Sequence, residues 1–168
     1  MTLVPAKDGL GYIRKDDPGE PIVGKPRISI TDAEALILGG LVLGKTVLEI
    51  GTGLGVSTRA LAKYASSVTS IDIDSWVQQT IWPELQQEFA NVAFATGRIA
   101  QRVDVVFIDG DHDTDAVRSD IAYARTCLSP NGLMIAHDVN YENVQRALDG
   151  RWQLIPTEHG LGVLAVDA

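Results

Sequence analysis

A chain of 168 residues, 45% hydrophobic and 21% charged, is long enough to bury one substantial core and too short for two comfortable ones. Its net charge of −8 opposes a polyanionic partner, because phosphate binding relies on clustered Lys and Arg, so nucleic acid is not an expected substrate. Cys127 is the single cysteine, which excludes an intrachain disulfide and a thiolate metal cluster; without a basic-then-apolar leader or an apolar run near ~18 residues, a soluble cytoplasmic protein is expected.

Met1 to Arg27 holds Pro5, Pro18, Pro21 and Pro26 among Gly9, Gly11, Gly19 and Gly24, with a turn signal at Asp16-Asp17-Pro18-Gly19. Residues 1–30 therefore read as an extended arm, whether a lid, a joint to a second copy of the chain or a loosely ordered tail, and residues 31–168 as one domain. Thr31-Asp32-Ala33-Glu34 has the spacing of a capping box and predicts a helix from Asp32 to about Leu38, stopped by Gly39-Gly40. A strand follows at Thr46–Ile50, then a glycine-rich turn, then a helix with Val56, Ala60 and Leu61 at helical spacing.

In that turn Glu49, Gly51, Gly53 and Gly55 fall on alternate positions, which lets the chain turn sharply and bring backbone N–H groups near a ligand with no Cβ in the way. A second β-rich run, Val68–Ile71, ends in Asp72, 21 residues beyond Gly51. That is about the ~20-residue separation at which a βαβ unit places an acid where it can accept from ribose hydroxyls. Asp74-Ser75 supplies the next helix cap. Pro83 divides the stretch from Trp76 to Phe89 into two expected short helices, and Trp76 and Trp82 read as core or, less favoured, as aromatic flanks of a flat ligand.

Asn91–Ala95 is a third strand, and Thr96–Arg102 leaves hardly room for a helix before the fourth, Val103–Ile108. That strand ends in Asp109-Gly110-Asp111-His112-Asp113, four ionisable side chains where open α/β sheets bind ligands. A helix capped by Asp113 or Thr114 carries Val117, Ile121, Ala124 and Leu128 on one face. Ser129-Pro130-Asn131-Gly132 is a turn into a fifth strand, Leu133–Ala136, which ends in His137-Asp138. Asp109 and Asp138 can converge on a hard cation such as Mg²⁺, with His137 as a further ligand; His112 and His137 are alternatively bases for a substrate hydroxyl. A helix over Asn140–Asp149 and two strands, Trp152–Ile155 and Leu161–Val166, close the chain.

Glu49-Ile50-Gly51-Thr52-Gly53-Leu54-Gly55, the acid at Asp72 and the closing pair of strands resemble the class I S-adenosylmethionine-dependent methyltransferases, over about Thr31 to Val166. Within them, Phe107 to His112 with Gly132 and His137-Asp138 is similar to the small-molecule O-methyltransferases related to macrocin O-methyltransferase and to cephalosporin-hydroxylase-type proteins. Catechol O-methyltransferase is a more distant likeness. The resemblance implies an α/β fold: a three-layer, doubly wound, Rossmann-like sheet of seven mostly parallel strands in the order 3-2-1-4-5-7-6, the last antiparallel. It implies S-adenosylmethionine as cofactor, held by Glu49, Gly51, Thr52, Gly53, Gly55, Ser57, Asp72, Ile73 and Asp109. It also puts Asp109, His137 and Asp138 on metal-binding positions and makes Asp109, His112, His137 and Asp138 the catalytic set.

The chain departs from that pattern between its third and fourth strands, where Gly97-Arg98-Ile99-Ala100-Gln101-Arg102 offers no helix and no acid for the adenine amino group. Adenine recognition then falls to backbone groups or to Ile73. The expected activity is methyl transfer to a small-molecule hydroxyl, possible metal assistance included. A minimal domain that binds cofactor or partner without turnover is the alternative. An NAD-linked oxidoreductase ranks lower, because its Gly-x-Gly-x-x-Gly spacing is not met.

Overall fold

A computed structural model of the chain describes residues 3–5, 12–14 and 29–166. Of the N-terminal arm it describes β1 (Leu3–Pro5) and β2 (Tyr12–Arg14), paired antiparallel; the expected Asp16–Gly19 turn and any joint to a second copy lie outside the described residues. The rest alternates helix and strand: α1 (Asp32–Val42), β3 (Thr46–Ile50), α2 (Val56–Tyr64), β4 (Ser67–Ile71), α3 (Ser75–Glu88), β5 (Val92–Ala95), β6 (Val103–Ile108), α4 (Thr114–Cys127), β7 (Leu128–Ala136), α5 (Glu142–Ala147), β8 (Gln153–Ile155) and β9 (Leu161–Ala165).

The seven strands β3–β9 form one sheet in the order β5-β4-β3-β6-β7-β9-β8, in which β9 runs antiparallel to both neighbours. Counted from β3, this is the expected 3-2-1-4-5-7-6. Alternation along the central strands divides the core between two faces. Val47, Val105, Phe107 and Ile135 pack with Leu38 and Val42 of α1 and Ala60 and Leu61 of α2. Leu48, Val106, Ile108 and Met134 pack with Val117, Ile121 and Ala124 of α4 and with Val144 and Trp152. The three-layer arrangement follows from this period of two: each central strand is apolar on both sides, as a buried parallel sheet requires.

Parallel register sets the functional edge. Ile50 lies opposite Ile108, and Ile108 opposite Ala136, so Gly51, Asp109 and His137 leave the sheet side by side. The ladder reaches these residues themselves: Asp109 N–H donates to Ile50 O at 2.9 Å and His137 N–H to Ile108 O at 3.0 Å.

Three local expectations are corrected. The helix from Asp32 continues through Gly39-Gly40 to Val42, with Gly44 at φ 69° just past its end. Gly39 is there for closeness: a Cβ on it would lie 2.7 Å from the Tyr64 ring of α2. Ser75–Glu88 is one helix despite Pro83, because Val77, Ile81 and Leu85 bury one continuous face and Trp82 stacks on Phe94 with centroids 5.0 Å apart. That packing outweighs the roughly 3 kcal/mol a mid-helix proline costs. The Ser129–Gly132 turn lies within β7, which starts at Leu128; it is a bulge, with Val103 facing Leu128 and Val105 facing Leu133, and Asn131 at φ 62°. No helix among the described residues is long and apolar enough to cross a membrane.

Candidate functional site

At the carboxyl edge, Gly51 to Leu54, Val56, Ser57, Asp109, Gly110, His112, Asp138 and Tyr141 line a cleft of about 340 Å³ with Ser29. Gly51 makes the convergence possible. Its φ is 96°, and a Cβ there would sit 2.2 Å from the Asp109 carbonyl oxygen, so no other residue fits between the two strand ends.

Four of the loop's N–H groups, those of Gly51, Thr52, Gly53 and Gly55, are bonded inside the protein. Gly51 N–H donates to Ile71 O and Gly55 N–H to Thr52 O, both at 2.8 Å. Thr52 and Gly53 N–H both donate to Asp72 Oδ2 at 3.0 Å, and Asp74 N–H to Asp72 Oδ1 at 2.8 Å. Asp72 therefore fastens the turn as well as standing at the tip of its strand. What the loop offers a ligand is room. Ile73, beside Asp72, is 86% exposed at that same edge.

Behind the loop, Glu49 is fully buried. Thr58 and Ser70 hydroxyls each donate to its Oε2 at 2.6 Å, while Oε1 has no hydrogen-bond partner. Burial pushes its carboxyl up to about 7, although the Ser57, Ser70 and Thr58 hydroxyls pull it back part of the way. Thr52 Oγ1 lies 2.7 Å from Ser70 Oγ and accepts from Trp82 Nε1 at 3.1 Å. Trp82 thus braces the loop from behind, the core role, and Trp76 packs against the same α3 cluster.

The opposite wall is built from histidines and acids. His112 is half exposed; its Nε2 lies 2.8 Å from Asp138 Oδ2, and its ring stacks on Tyr141 with centroids 5.3 Å apart and an interplanar angle of 7°. Hydrogen bonding to Asp138 raises the His112 imidazole above its ordinary value. Asp138 sits at φ 58°, a conformation Asp tolerates better than most residues. His137 is buried, with Nδ1 at 3.1 Å from Asp109 Oδ1 and 3.3 Å from Asp138 Oδ2. Burial disfavours its cation, yet the two carboxylates raise it to about 10. Burial raises Asp109, partly offset by His137, whereas His112 and His137 together overcome burial and hold Asp138 well below the usual carboxylate range.

The structure therefore brings Gly51, Thr52, Gly53, Ser57, Asp109, His112 and Asp138 onto one cleft, with Gly55 in the same turn. It places Glu49 and His137 behind the walls, and Asp72 and Ile73 at the neighbouring strand tip. Sequence reasoning missed two residues. Glu34 appeared only as half of a capping box, and His159 only as part of a connection, but both are buried and meet His137 from its other side. The capping signal was real: Thr31 N–H donates to Glu34 Oε2 at 2.7 Å and Glu34 N–H to Thr31 Oγ1 at 3.2 Å. Nothing local to residue 159 pairs it with residue 34.

Residues 48–139 match a family model described as a methyltransferase domain, more than half of the chain. No curated protein matches the chain in sequence. Among solved structures, an O-methyltransferase from Bacillus cereus in complex with SAH is 18% identical, with a TM-score of 0.70 over 84% of each chain. TomG, an O-methyltransferase of tomaymycin synthesis from Streptomyces achromogenes solved with SAM, is 17% identical with a TM-score of 0.70, covering 85% of this chain and 83% of its own. The N-methyltransferase NodS from Bradyrhizobium japonicum is 16% identical with a TM-score of 0.62, covering 81% of this chain and 94% of its own. The fold thus serves acceptors of more than one element.

Proposed function

The chain belongs to the methyltransferase-domain family, and from that premise we propose that it transfers the methyl group of S-adenosylmethionine to a hydroxyl of a small molecule. The observation that carries the oxygen-acceptor reading is the His112–Asp138 pair on the cleft wall opposite the glycine loop. A hydroxyl must lose its proton as it is methylated, and an imidazole oriented by a carboxylate is suited to take it.

The residues fit the cofactor. The cleft is Cβ-free along Gly51 and Gly53, is bounded by the Asp109 and Asp138 carboxylates, and so favours a ligand carrying positive charge. Ser57 lines it, and the unpartnered Glu49 Oε1 lies behind, where a cationic amine of the methionine part would find an acceptor. Asp72 has a carboxylate at the strand tip for ribose, and exposed Ile73 beside it offers an apolar face to adenine. When bound, the cofactor supplies an electrophilic methyl group and a neutral leaving sulfide.

The protein's share is positioning and proton transfer. His112 keeps its Nε2 toward Asp138, which leaves Nδ1 to accept the substrate proton. Stacking on Tyr141 holds the ring's plane. His137, buried behind the acids, acts on Asp109 and Asp138 rather than on substrate. The chain's charge of −8 and this acidic cleft favour a small acceptor over nucleic acid.

A metal-assisted form is the second reading. Asp109, His137 and Asp138 offer ligand atoms within 4.8 Å of one another, and a cation there would lower the acceptor's pKa. It would have to displace the His137 Nδ1 contacts and compete with His112 for Asp138 Oδ2. Calorimetry with S-adenosylmethionine and S-adenosylhomocysteine tests the cofactor, and no binding of either overturns the proposal. Binding without methyl transfer across a panel of phenols and sugars favours a non-catalytic domain. Given turnover, His112→Ala is expected to lower kcat by about 10²–10⁴, and unchanged activity in chelator removes the metal.

A further inference from the structure

Glu34 in the first turn of α1, His137 after β7, and His159 just before β9 meet on the far side of His137 from the cleft. Glu34 and His159 have no part in the reaction above. We propose that Glu34 Oε2, His137 Nε2 and His159 Nδ1 hold a divalent transition-metal ion, best matched by Zn²⁺, in a buried structural site.

Spacing, an orphaned nitrogen and the surrounding bonds carry this assignment. Two ligands of a tetrahedral zinc at about 2.0–2.1 Å lie roughly 3.3 Å apart. Glu34 Oε2 is 3.0 Å from His159 Nδ1 and 3.5 Å from His137 Nε2, and each of the three residues offers a ligand atom within 4.8 Å of the others. His137 Nε2 is fully buried, on a side chain 2% exposed, and is aimed into this cluster without a hydrogen bond. A buried nitrogen left so is costly unless something sits between it and its neighbours.

The supports are those a bound ion needs. His137 directs its other nitrogen at Asp109 and Asp138, the carboxylate–histidine arrangement that fixes tautomer and ring orientation in metal sites. Glu34 is held by other groups as well: Thr157 Oγ1 and His159 N–H donate to Oε1 at 2.6 and 3.0 Å, and Thr31 N–H and Oγ1 donate to Oε2 at 2.7 and 3.0 Å, so the ion would take the place only of the hydrogen bond between His159 Nδ1 and Oε2. Two imidazoles and a carboxylate suit Zn²⁺ among the available metals. His159 also borders a cleft of about 330 Å³ with Asn140, Tyr141 and Glu158, which supplies a way in.

The test is metal content and stability, so it stands apart from methyl transfer. The full chain, stripped with chelator, is titrated with Zn²⁺ and with Co²⁺, and visible absorption of the Co²⁺ form reads tetrahedral coordination. About one Zn²⁺ per chain should survive gel filtration, and the melting temperature should rise with Zn²⁺ and fall again with chelator. His159→Ala keeps the backbone bond to Glu34 and should weaken Zn²⁺ at least about 100-fold, whereas Asp109→Asn should cost only the 10–100-fold typical of a supporting contact. Absence of stoichiometric Zn²⁺ and of stabilisation overturns the site and leaves His137 Nε2 with a proton. Binding abolished by Asp109→Asn but untouched by His159→Ala overturns it too, and moves the ion to the cleft.

Discussion

The glycine loop and the histidine cluster lie at the ends of adjacent strands, yet they are assembled in opposite ways. The loop is made within about 24 residues: Gly51, Thr52 and Gly53 are tied to Ile71 and Asp72, and Glu49 to Thr58 and Ser70. Its polar groups are nearly all satisfied by near neighbours, and its openness comes from missing side chains. The cluster joins residues 123 and 125 positions apart, as in Thr157 and His159 donating to Glu34. Both regions leave one buried atom unpartnered, Glu49 Oε1 and His137 Nε2. A local turn can be specified by spacing, whereas a buried charge network must be closed by the fold.

The sharpest way to break that contrast is to remove the acid at the centre of the cluster. Glu34→Ala strands the donors of Thr31, Thr157 and His159 and should cost about 3–5 kcal/mol of unfolding free energy, read by urea denaturation. In the loop the same assay separates two glycines. Gly51→Ala must relieve a 2.2 Å approach to Asp109 O at φ 96° and should cost about 3 kcal/mol, whereas Gly53→Ala, at φ 50° with nothing within 4 Å, should cost about 1 kcal/mol.

Glu49 links the loop to pH. Burial holds its carboxyl up at about 7 in the folded chain against an ordinary 4.5, so the folded state binds the proton more tightly than the unfolded state. Its contribution is full below 4.5 and is lost as pH rises to about 7, on the order of 3 kcal/mol. Chemical denaturation of the ligand-free protein and of Glu49→Gln across that range checks this; a wild-type slope no steeper than the variant's refutes it. The smallest effect concerns the cleft. Asp138 raises His112, so the acidic limb of methyl transfer should lie above the ordinary imidazole value of 6.5, and Asp138→Asn should move it toward acid.

Much of the fold was legible because the signals are local or periodic. The apolar run Val103–Ile108, the Glu49–Gly55 spacing and the acid at Asp72 specified strand, turn and strand before any contact was known. Misreadings arose where tertiary packing overrode a local rule. Gly39 reads as a helix stop but serves contact with Tyr64, and Pro83 reads as a break but lies in a helix held by Val77, Ile81 and Leu85. His159 carried no sequence signal, because its partner, Glu34, is 125 residues away.

The sequence by itself determined the order of strands and helices along the chain, the position of the cleft-bearing edge and the acids along it, because hydrophobic period and glycine spacing act over a few residues. Only the tertiary structure decided which of those groups face the cleft and which are buried behind it. All three histidines of the chain stand within this one network. Their surroundings differ because burial and partner, set by long-range packing, leave His112 half exposed on the cleft and turn His137 and His159 inward on Glu34.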